Sequence, residues 1–343
     1  MAISTLPLKP ISEDFLPTLE RTLAQRPAIE AFADRVVEAG LRNVFLVGCG
    51  GSLLASYPAQ YLFDRHGTRF PVSLLTSNEF IYRHPAALGP GSLVVVMSHT
   101  GTTKETVRAA EFARAAGATV ASITQLPESP LAKAGDVAFA YESDDTVTDA
   151  KHLLIGQLGL ALLDRVGDYP DYAGAIRTLD ALPAAMLAAK VGSEDRSAAI
   201  AARLHAEPIT YVIGSGPSYG TAYGFAMCFL QEMQWMHAAA YNAGEFFHGA
   251  MEVITEDVAA IVLLGEDETR PMGERARVFM EKYSRKAAFI DVKDMTLPGI
   301  EPAWRAFASP FALGSVVWRL AQHYEAATGH SLDIRRYMFQ VEY

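Results

Sequence analysis

One nine-residue pattern occurs twice in this chain, and it limits the fold more than any other feature. VFLVGCGGS (44–52) and TYVIGSGPS (210–218) lie 166 positions apart, each a short apolar run that breaks into a glycine turn. At the same offset Val94–Gly101 matches Ala260–Asp267, again an apolar run followed by a turn. Similarity at one offset over two separate motifs points to a duplicated unit. A length of 343 residues, too long for one ordinary core, agrees with two domains.

Each copy reads as strand, turn, helix. Asn43–Val47 runs into Gly48-Cys49-Gly50-Gly51-Ser52, ahead of an apolar-rich helix to about Phe63. Leu93–Met97 (LVVVM) is continuously apolar and valine-rich, which predicts a strand buried on both faces of a parallel sheet. It ends in Ser98-His99-Thr100-Gly101-Thr102-Thr103; Lys104–Ala116 then has helical spacing and Gly117 closes it. Thr119–Ile123 and Val137–Tyr141 are further strand candidates. In the second copy Pro271–Ser284 reads as a helix, with proline in the first turn, and Ala287–Val292 as a strand. Strands alternating with helices imply an α/β fold of doubly wound parallel sheets with right-handed crossovers. The expected organisation is a helical lead-in over 1–30, starting at Ser12-Glu13-Asp14, then a domain over 31–170 and a second over 195–343. The link falls within 166–207, which is mostly helical and alanine-rich.

The formal charge is −10 with no basic run, so a nucleic-acid surface is not expected. An anion bound by such a chain must be held locally, by backbone N–H groups and hydroxyls at a helix start. Cys49 and Cys228 show neither a disulfide framework nor metal-ligand spacing. The N-terminus lacks a signal-peptide pattern and no apolar run approaches the ~20 residues of a membrane span, so a cytoplasmic protein away from membranes is expected.

Ligands of an open parallel sheet bind beyond the carboxyl ends of its strands, where Ser98–Thr103 lies. Its glycine permits a tight turn; Ser98, Thr100, Thr102 and Thr103 supply hydroxyls, and the helix start adds free N–H groups and the positive end of its dipole. That set suits a phosphate monoester without any arginine, and Ser52 from the parallel loop adds a donor. Helix capping is the plain alternative for any one Ser or Thr. Four hydroxyls around one glycine favour the anion. The matching turn, Leu264-Gly265-Glu266-Asp267-Glu268-Thr269, carries three carboxylates that would repel phosphate, so one phosphate site per chain is expected. Gly48–Ser52 resembles a dinucleotide fingerprint loosely: Leu53 stands where the third glycine belongs, and no acidic residue closes the strand near Leu74–Leu75. A nicotinamide cofactor is disfavoured, and Gly50-Gly51 suits close backbone approach to a sugar.

Glu232–Gly249 (EMQWMHAAAYNAGEFFHG) follows a long apolar helix, Tyr219–Leu230, with Glu232 near its end. After a break around Tyr241–Gly244 come Glu245 and His248, spaced i, i+3. A carboxylate and an imidazole are suited to moving protons on a sugar, and a partly desolvated carboxylate is the stronger base. Spacing alone equally allows Glu245 and His248 to be a pair on a helix face, Glu232 to be solvated and His237 to be a core residue.

The two glycine loops, SHTGTTKET and AAYNAGEFFHG together resemble the sugar isomerase (SIS) domain family over about residues 30–343. Within it, the chain resembles the isomerase half of glucosamine-6-phosphate synthase and the fructosamine-6-phosphate deglycases that act on fructoselysine or glucoselysine 6-phosphate. The resemblance implies two SIS domains, each a doubly wound parallel five-stranded sheet flanked by helices. It implies sugar-phosphate contacts at Gly50, Gly51, Ser52, Ser98, His99, Thr100 and Thr103, with Val147 and Asp149 from a loop lining the sugar. Glu232 takes the place of the general base, and His248 that of a ring-opening histidine donated by the partner subunit, hence a homodimer or dimer of dimers. The tail RRYMFQVEY (335–343) resembles one that closes over the site, with Tyr337 and Glu342 as further candidates beside Glu245. No metal or cofactor is implied. Phe229 stands where the synthase has a lysine one turn before the base, and the chain shows no glutaminase domain with its N-terminal cysteine. Phe246-Phe247 and the ending Val341-Glu342-Tyr343 look like the deglycases. The resemblance thus implies a deglycase that yields glucose 6-phosphate and an amine or amino acid. The alternatives are an aldose–ketose or amino-sugar-6-phosphate isomerase or deaminase and, with no helix-turn-helix ahead of the first domain, a non-catalytic sugar-phosphate sensor.

Overall fold

A computed structural model describes residues 6–342; the first five residues of the expected lead-in, and Tyr343 of the tail, lie outside the described residues. The chain forms two compact units, Ser12–Pro183 and, with the N-terminal stretch ending at Ile11, Ala184–Tyr343. The division between Pro183 and Ala184 falls inside the helix Tyr172–Gly192, where proline removes a backbone donor.

The first unit holds β1 (Asn43–Gly48), β2 (Val72–Thr76), β3 (Ser92–Met97), β4 (Thr119–Thr124) and β5 (Val137–Ala140), all parallel in the order β2-β1-β3-β4-β5. Every residue of β1 and β3 is buried, as a sheet covered on both faces demands. On one face the helix Lys104–Ala115 packs through Ala109, Ala110 and Ala113 against Phe45, Val47, Val94, Val96 and Val120; small residues there let the helix approach closely. The helix Val147–Arg165 is buried from Asp149 through Leu163, with Phe15–Leu23, Arg26–Glu38 and Tyr57–His66 packed around it, so its sequence is apolar on all sides. The helix expected up to Phe63 is two pieces, Gly51–Leu54 and Tyr57–His66, with Pro58 in the first turn of the second.

The second unit repeats this plan with β6 (Thr210–Gly214), β7 (Ala238–Asn242), β8 (Ala259–Leu264) and β9 (Ala287–Asp291), parallel in the order β7-β6-β8-β9. Among the described residues this sheet has four strands, a correction to the five expected. The stretch after β9, VKDMTLPGIEPAW, contains Pro298 and Pro302, which cannot donate to a ladder, and it leads directly into the helix Arg305–Thr328. The expected helix Tyr219–Leu230 is also revised. An α-helix over Ser218–Gly224 continues as a wider π-helical stretch over Phe225–Met233. β7 occupies the alanine-rich residues just before the expected break, a run with weak strand propensity that pairs with β6 because a sheet edge is available.

In both sheets the chain steps first to one side of its first strand and then crosses to the other, so the order reverses at β1/β3 and at β6/β8. Loops after such strands line the crevice at the switch point. Cys49–Ser52 and Ser98–Thr103 are those loops in the first unit.

Candidate active site

The phosphate-type loop is held by its own backbone. Gly101 has φ +66°, and a Cβ there would lie 2.3 Å from Ser129 Oγ, so only glycine fits. The Gly101 carbonyl accepts from the Leu131 N–H at 2.9 Å, and the His99 carbonyl from the Gln125 N–H at 2.9 Å and the Thr124 hydroxyl at 3.2 Å. These bonds free the loop's side chains from structural work. Thr103 sits at the N-cap of Lys104–Ala115 but makes no side-chain capping bond; its hydroxyl instead pairs with Ser98 Oγ at 2.8 Å. Thr100 and Thr102 pair likewise at 2.6 Å. Each hydroxyl pair uses one O–H internally and leaves the other free to donate outward. Thr103 thus does not cap its helix, while Thr100 Oγ1 also accepts from the Thr102 N–H at 3.3 Å.

Ser52 is buried in the first turn after Gly50, which has φ +52°. Its Oγ accepts from Lys151 Nζ at 3.0 Å. Lys151 is 2 % exposed and also faces the ring of Tyr141. His99 shares a 2.7 Å hydrogen bond with the Tyr141 hydroxyl. Burial, helped by the charge of Lys151, lowers the His99 imidazole to about 4, so it is neutral at physiological pH. Burial raises the Tyr141 phenol. Val147 opens the helix Val147–Arg165, half-buried, and Asp149 is buried in its first turn. The residues Ser52, Ser98, His99, Thr100 and Thr103 therefore lie at the carboxyl ends of β1 and β3.

In the second unit the corresponding turn is closed by its own side chains. Asp267, at the position equivalent to Gly101, is buried and accepts from the Thr269 N–H at 3.0 Å and from its hydroxyl. Glu266 pairs with Arg305 at 2.7 Å, and Arg270 binds the Gly265 carbonyl at 2.7 Å. A carboxylate of the chain itself takes up donors that the first unit leaves open.

Glu232 lies near the end of the π-helical stretch, its side chain 23 % exposed, and accepts from Arg335 Nε at 2.9 Å. Burial raises its carboxyl above the ordinary value, and Arg335 opposes the rise. Glu245 caps and His248 ends a single 3₁₀ turn, Phe246–His248, so the two do not lie on an α-helix; the His248 N–H donates to the Glu245 carbonyl at 2.9 Å. Phe246 anchors that turn in the core beside Ile213, Ala260 and Val262, which leaves the Glu245 and His248 side chains exposed. In the tail, Tyr337 and Glu342 are exposed, and the Tyr337 carbonyl closes a turn with the Gln340 N–H at 2.9 Å. Among the described residues no cluster of His, Cys, Asp and Glu could hold a metal ion, and no helix is long and apolar enough to cross a membrane.

Comparison with known proteins fits this geometry. The model for the SIS domain matches residues 39–156 and 204–295, which carry β1–β5 and β6–β9. The chain belongs to the SIS domain family. It is 38% identical to fructosamine deglycase FrlB of Bacillus subtilis (strain 168) over 317 residues, 92% of this chain and 97% of that protein. It is 26% identical to fructoselysine 6-phosphate deglycase of Escherichia coli (strain K12), over 95% of this chain and 94% of that one. A solved Bacillus subtilis structure described as a phosphosugar isomerase superposes with a TM-score of 0.88 at 37% identity, covering 94% of this chain and all of its own.

Two residues of this SIS chain escaped the sequence reading. Lys151 lies two residues past Asp149, and a lysine opening an apolar run (HLLIGQLGLALL) signals a buried cation. Arg335 meets Glu232 across 103 positions, and nothing in the sequence links the two.

Proposed function

We propose that this SIS chain is a 6-phosphofructosamine deglycase, releasing glucose 6-phosphate and an amine or amino acid. The observation that carries the reading is the Ser98–Thr103 loop, whose hydroxyls pair with one another instead of capping the helix and leave donors for an anion. The likeness to two deglycases along nearly the full chain supports the choice of substrate.

The phosphate is the handle. Binding energy from the remote ester is used on chemistry at C1 and C2. Ser52, one hydroxyl of the Ser98–Thr103 pair and one of the Thr100–Thr102 pair donate to its oxygens, and Lys151 adds a cation one hydrogen bond behind Ser52. Gly50 and Gly51 let the backbone approach the sugar; His99, Val147 and Asp149 complete its surroundings. His248 promotes ring opening. Glu232, desolvated and so a stronger base, takes the C1 proton to give an enaminol. Reprotonation at C2 gives a C1 imine, which water hydrolyses. The C2 carbonyl takes up the electron pair as C1 is deprotonated, and the nitrogen lone pair then drives protonation at C2. In this reading the protein acts in the cytoplasm as a homodimer, with His248 donated across subunits; its exposure on a firmly anchored turn suits that role.

The test is incubation with 6-phosphofructosyl-lysine and -asparagine and assay of glucose 6-phosphate. Glu232→Gln abolishes release while fructose 6-phosphate still binds. Equal turnover by that variant removes Glu232 from the mechanism. The likeness to a phosphosugar isomerase favours a second reading, isomerisation or deamination of a sugar 6-phosphate by the same groups. Turnover of fructose or glucosamine 6-phosphate, with none of the fructosyl-amine, would decide for it.

A further inference from the structure

The contact between Glu232 and the C-terminal tail is built with more care than a surface ion pair needs. Arg335 Nε donates to Glu232 Oε1 at 2.9 Å, while its Nη1 donates to the Leu332 carbonyl at 2.6 Å and the Ile334 carbonyl at 3.2 Å. Two main-chain acceptors thus fix the plane of the guanidinium before it meets the carboxylate. The turn that supplies them is itself tied down. The Leu332 N–H donates to the buried Glu325 carboxylate at 2.9 Å, and Lys9 pairs with that carboxylate at 3.0 Å. Gln234 donates to the His330 carbonyl at 2.8 Å and accepts from the Thr328 hydroxyl. Trp235, held at φ +56°, packs against His330, and Arg336 lies 4.2 Å from its ring centroid.

The tail is therefore fastened to Glu232 and to Gln234 and Trp235 just after it. An ion pair as buried as this one gives back much of its attraction in desolvation, so stability alone does not account for such a scaffold. A half-buried carboxylate, by contrast, tends to take up a proton unless a cation stands beside it. Among the described residues Arg335 is the charged group that acts on Glu232. On the helix Arg305–Thr328, which packs against the π-helical stretch, Arg319 and His323 are committed to Glu194, Glu325 to Lys9 and Arg305 to Glu266. The other neighbours, Ser218–Gly224, β6 and β7, bring only tyrosines: Tyr219, Tyr223, Tyr211 and Tyr241.

We propose that Arg335 is a positioning residue for the reaction, keeping Glu232 ionised and aimed so that the C-terminal tail is a working part of the base. The inference rests on the reading of Glu232 as the general base. The pH dependence of kcat/KM for glucose 6-phosphate release from 6-phosphofructosyl-lysine or -asparagine tests it, in Arg335→Met and Arg335→Lys. The acid limb of Arg335→Met moves up by one pH unit or more, a loss of at least tenfold at the foot of the limb that is recovered at alkaline pH. Arg335→Lys, which keeps the charge but loses the fixed fork, restores most of it. Fructose 6-phosphate affinity stays within twofold. An unmoved limb, or a loss equal at every pH, overturns the proposal. Difference infrared titration of the carboxylate, with Glu232→Gln as the blank, reads the same shift without turnover and decides the case if no substrate is found. If Arg335→Met fails to fold, Arg335→Gln takes its place, and an unshifted carboxylate in that variant overturns the proposal. If Glu232→Gln keeps full turnover, the base reading fails; if it is inactive while Arg335→Met keeps the wild-type profile, only the role of Arg335 fails.

Discussion

Replacing Lys151 by methionine isolates the cation behind the phosphate loop. The side chain keeps nearly the same volume and loses its charge together with its hydrogen bond to Ser52 Oγ. Lys151 Nζ stands 3.0 Å from Ser52 Oγ, and a phosphate oxygen accepting from that hydroxyl lies a further ~2.8 Å away. The ammonium is then within about 6 Å of the ester, where each unit of phosphate charge is worth roughly 3 kcal/mol at an effective dielectric of ~20. Part of that is offset by ionic screening at a loop open to solvent. A net loss of about 2 kcal/mol is expected, which weakens fructose 6-phosphate binding about 30-fold. Calorimetric titration at fixed ionic strength measures it, with unphosphorylated fructose as the control. The melting temperature should hold or rise, since a buried ammonium has been exchanged for an apolar group. Unchanged affinity would refute the reasoning and leave Lys151 as a scaffold residue for Ser52.

Gly101→Ala forces a side chain into a φ of +66° and against Ser129 Oγ. It should cost about 1–3 kcal/mol in strain and weaken fructose 6-phosphate binding more than tenfold; calorimetry and thermal melting read both. A second expectation follows from His99 and His152, each lowered to about 4, chiefly by burial. Between the unfolded value near 6.5 and the folded value the unfolded chain binds more protons, so stability falls as pH drops through that window. Scanning calorimetry from pH 7 to 5 should show the melting temperature falling by roughly 5 °C or more, and a flat profile would contradict neutral, buried imidazoles.

The duplication, the parallel α/β class and the hydroxyl-rich turn at Ser98–Thr103 were legible because each leaves a local pattern. An all-buried strand must be apolar throughout, and LVVVM announces it. A loop that holds an anion without arginine must gather hydroxyls around a glycine, and SHTGTT does so. β7 was hidden because AAAYN carries no strand signal of its own; the open edge of β6 recruits it. The fifth strand of the second sheet was expected from likeness, while the prolines after β9 argue against it. The π-helical widening before Glu232 leaves no periodicity to read.

What the sequence determined by itself was therefore the architecture and the residue types suited to a sugar phosphate. Hydrophobic period, glycine turns and short-range hydroxyl spacing are properties of neighbours along the chain. The tertiary structure decided which charges meet. It set Lys151 behind Ser52, turned Asp267 into the plug of its own turn, and brought Arg335 to Glu232. Charge pairing acts through space over a few ångströms, so residues distant in sequence can answer one another without any mark in the pattern that precedes or follows them.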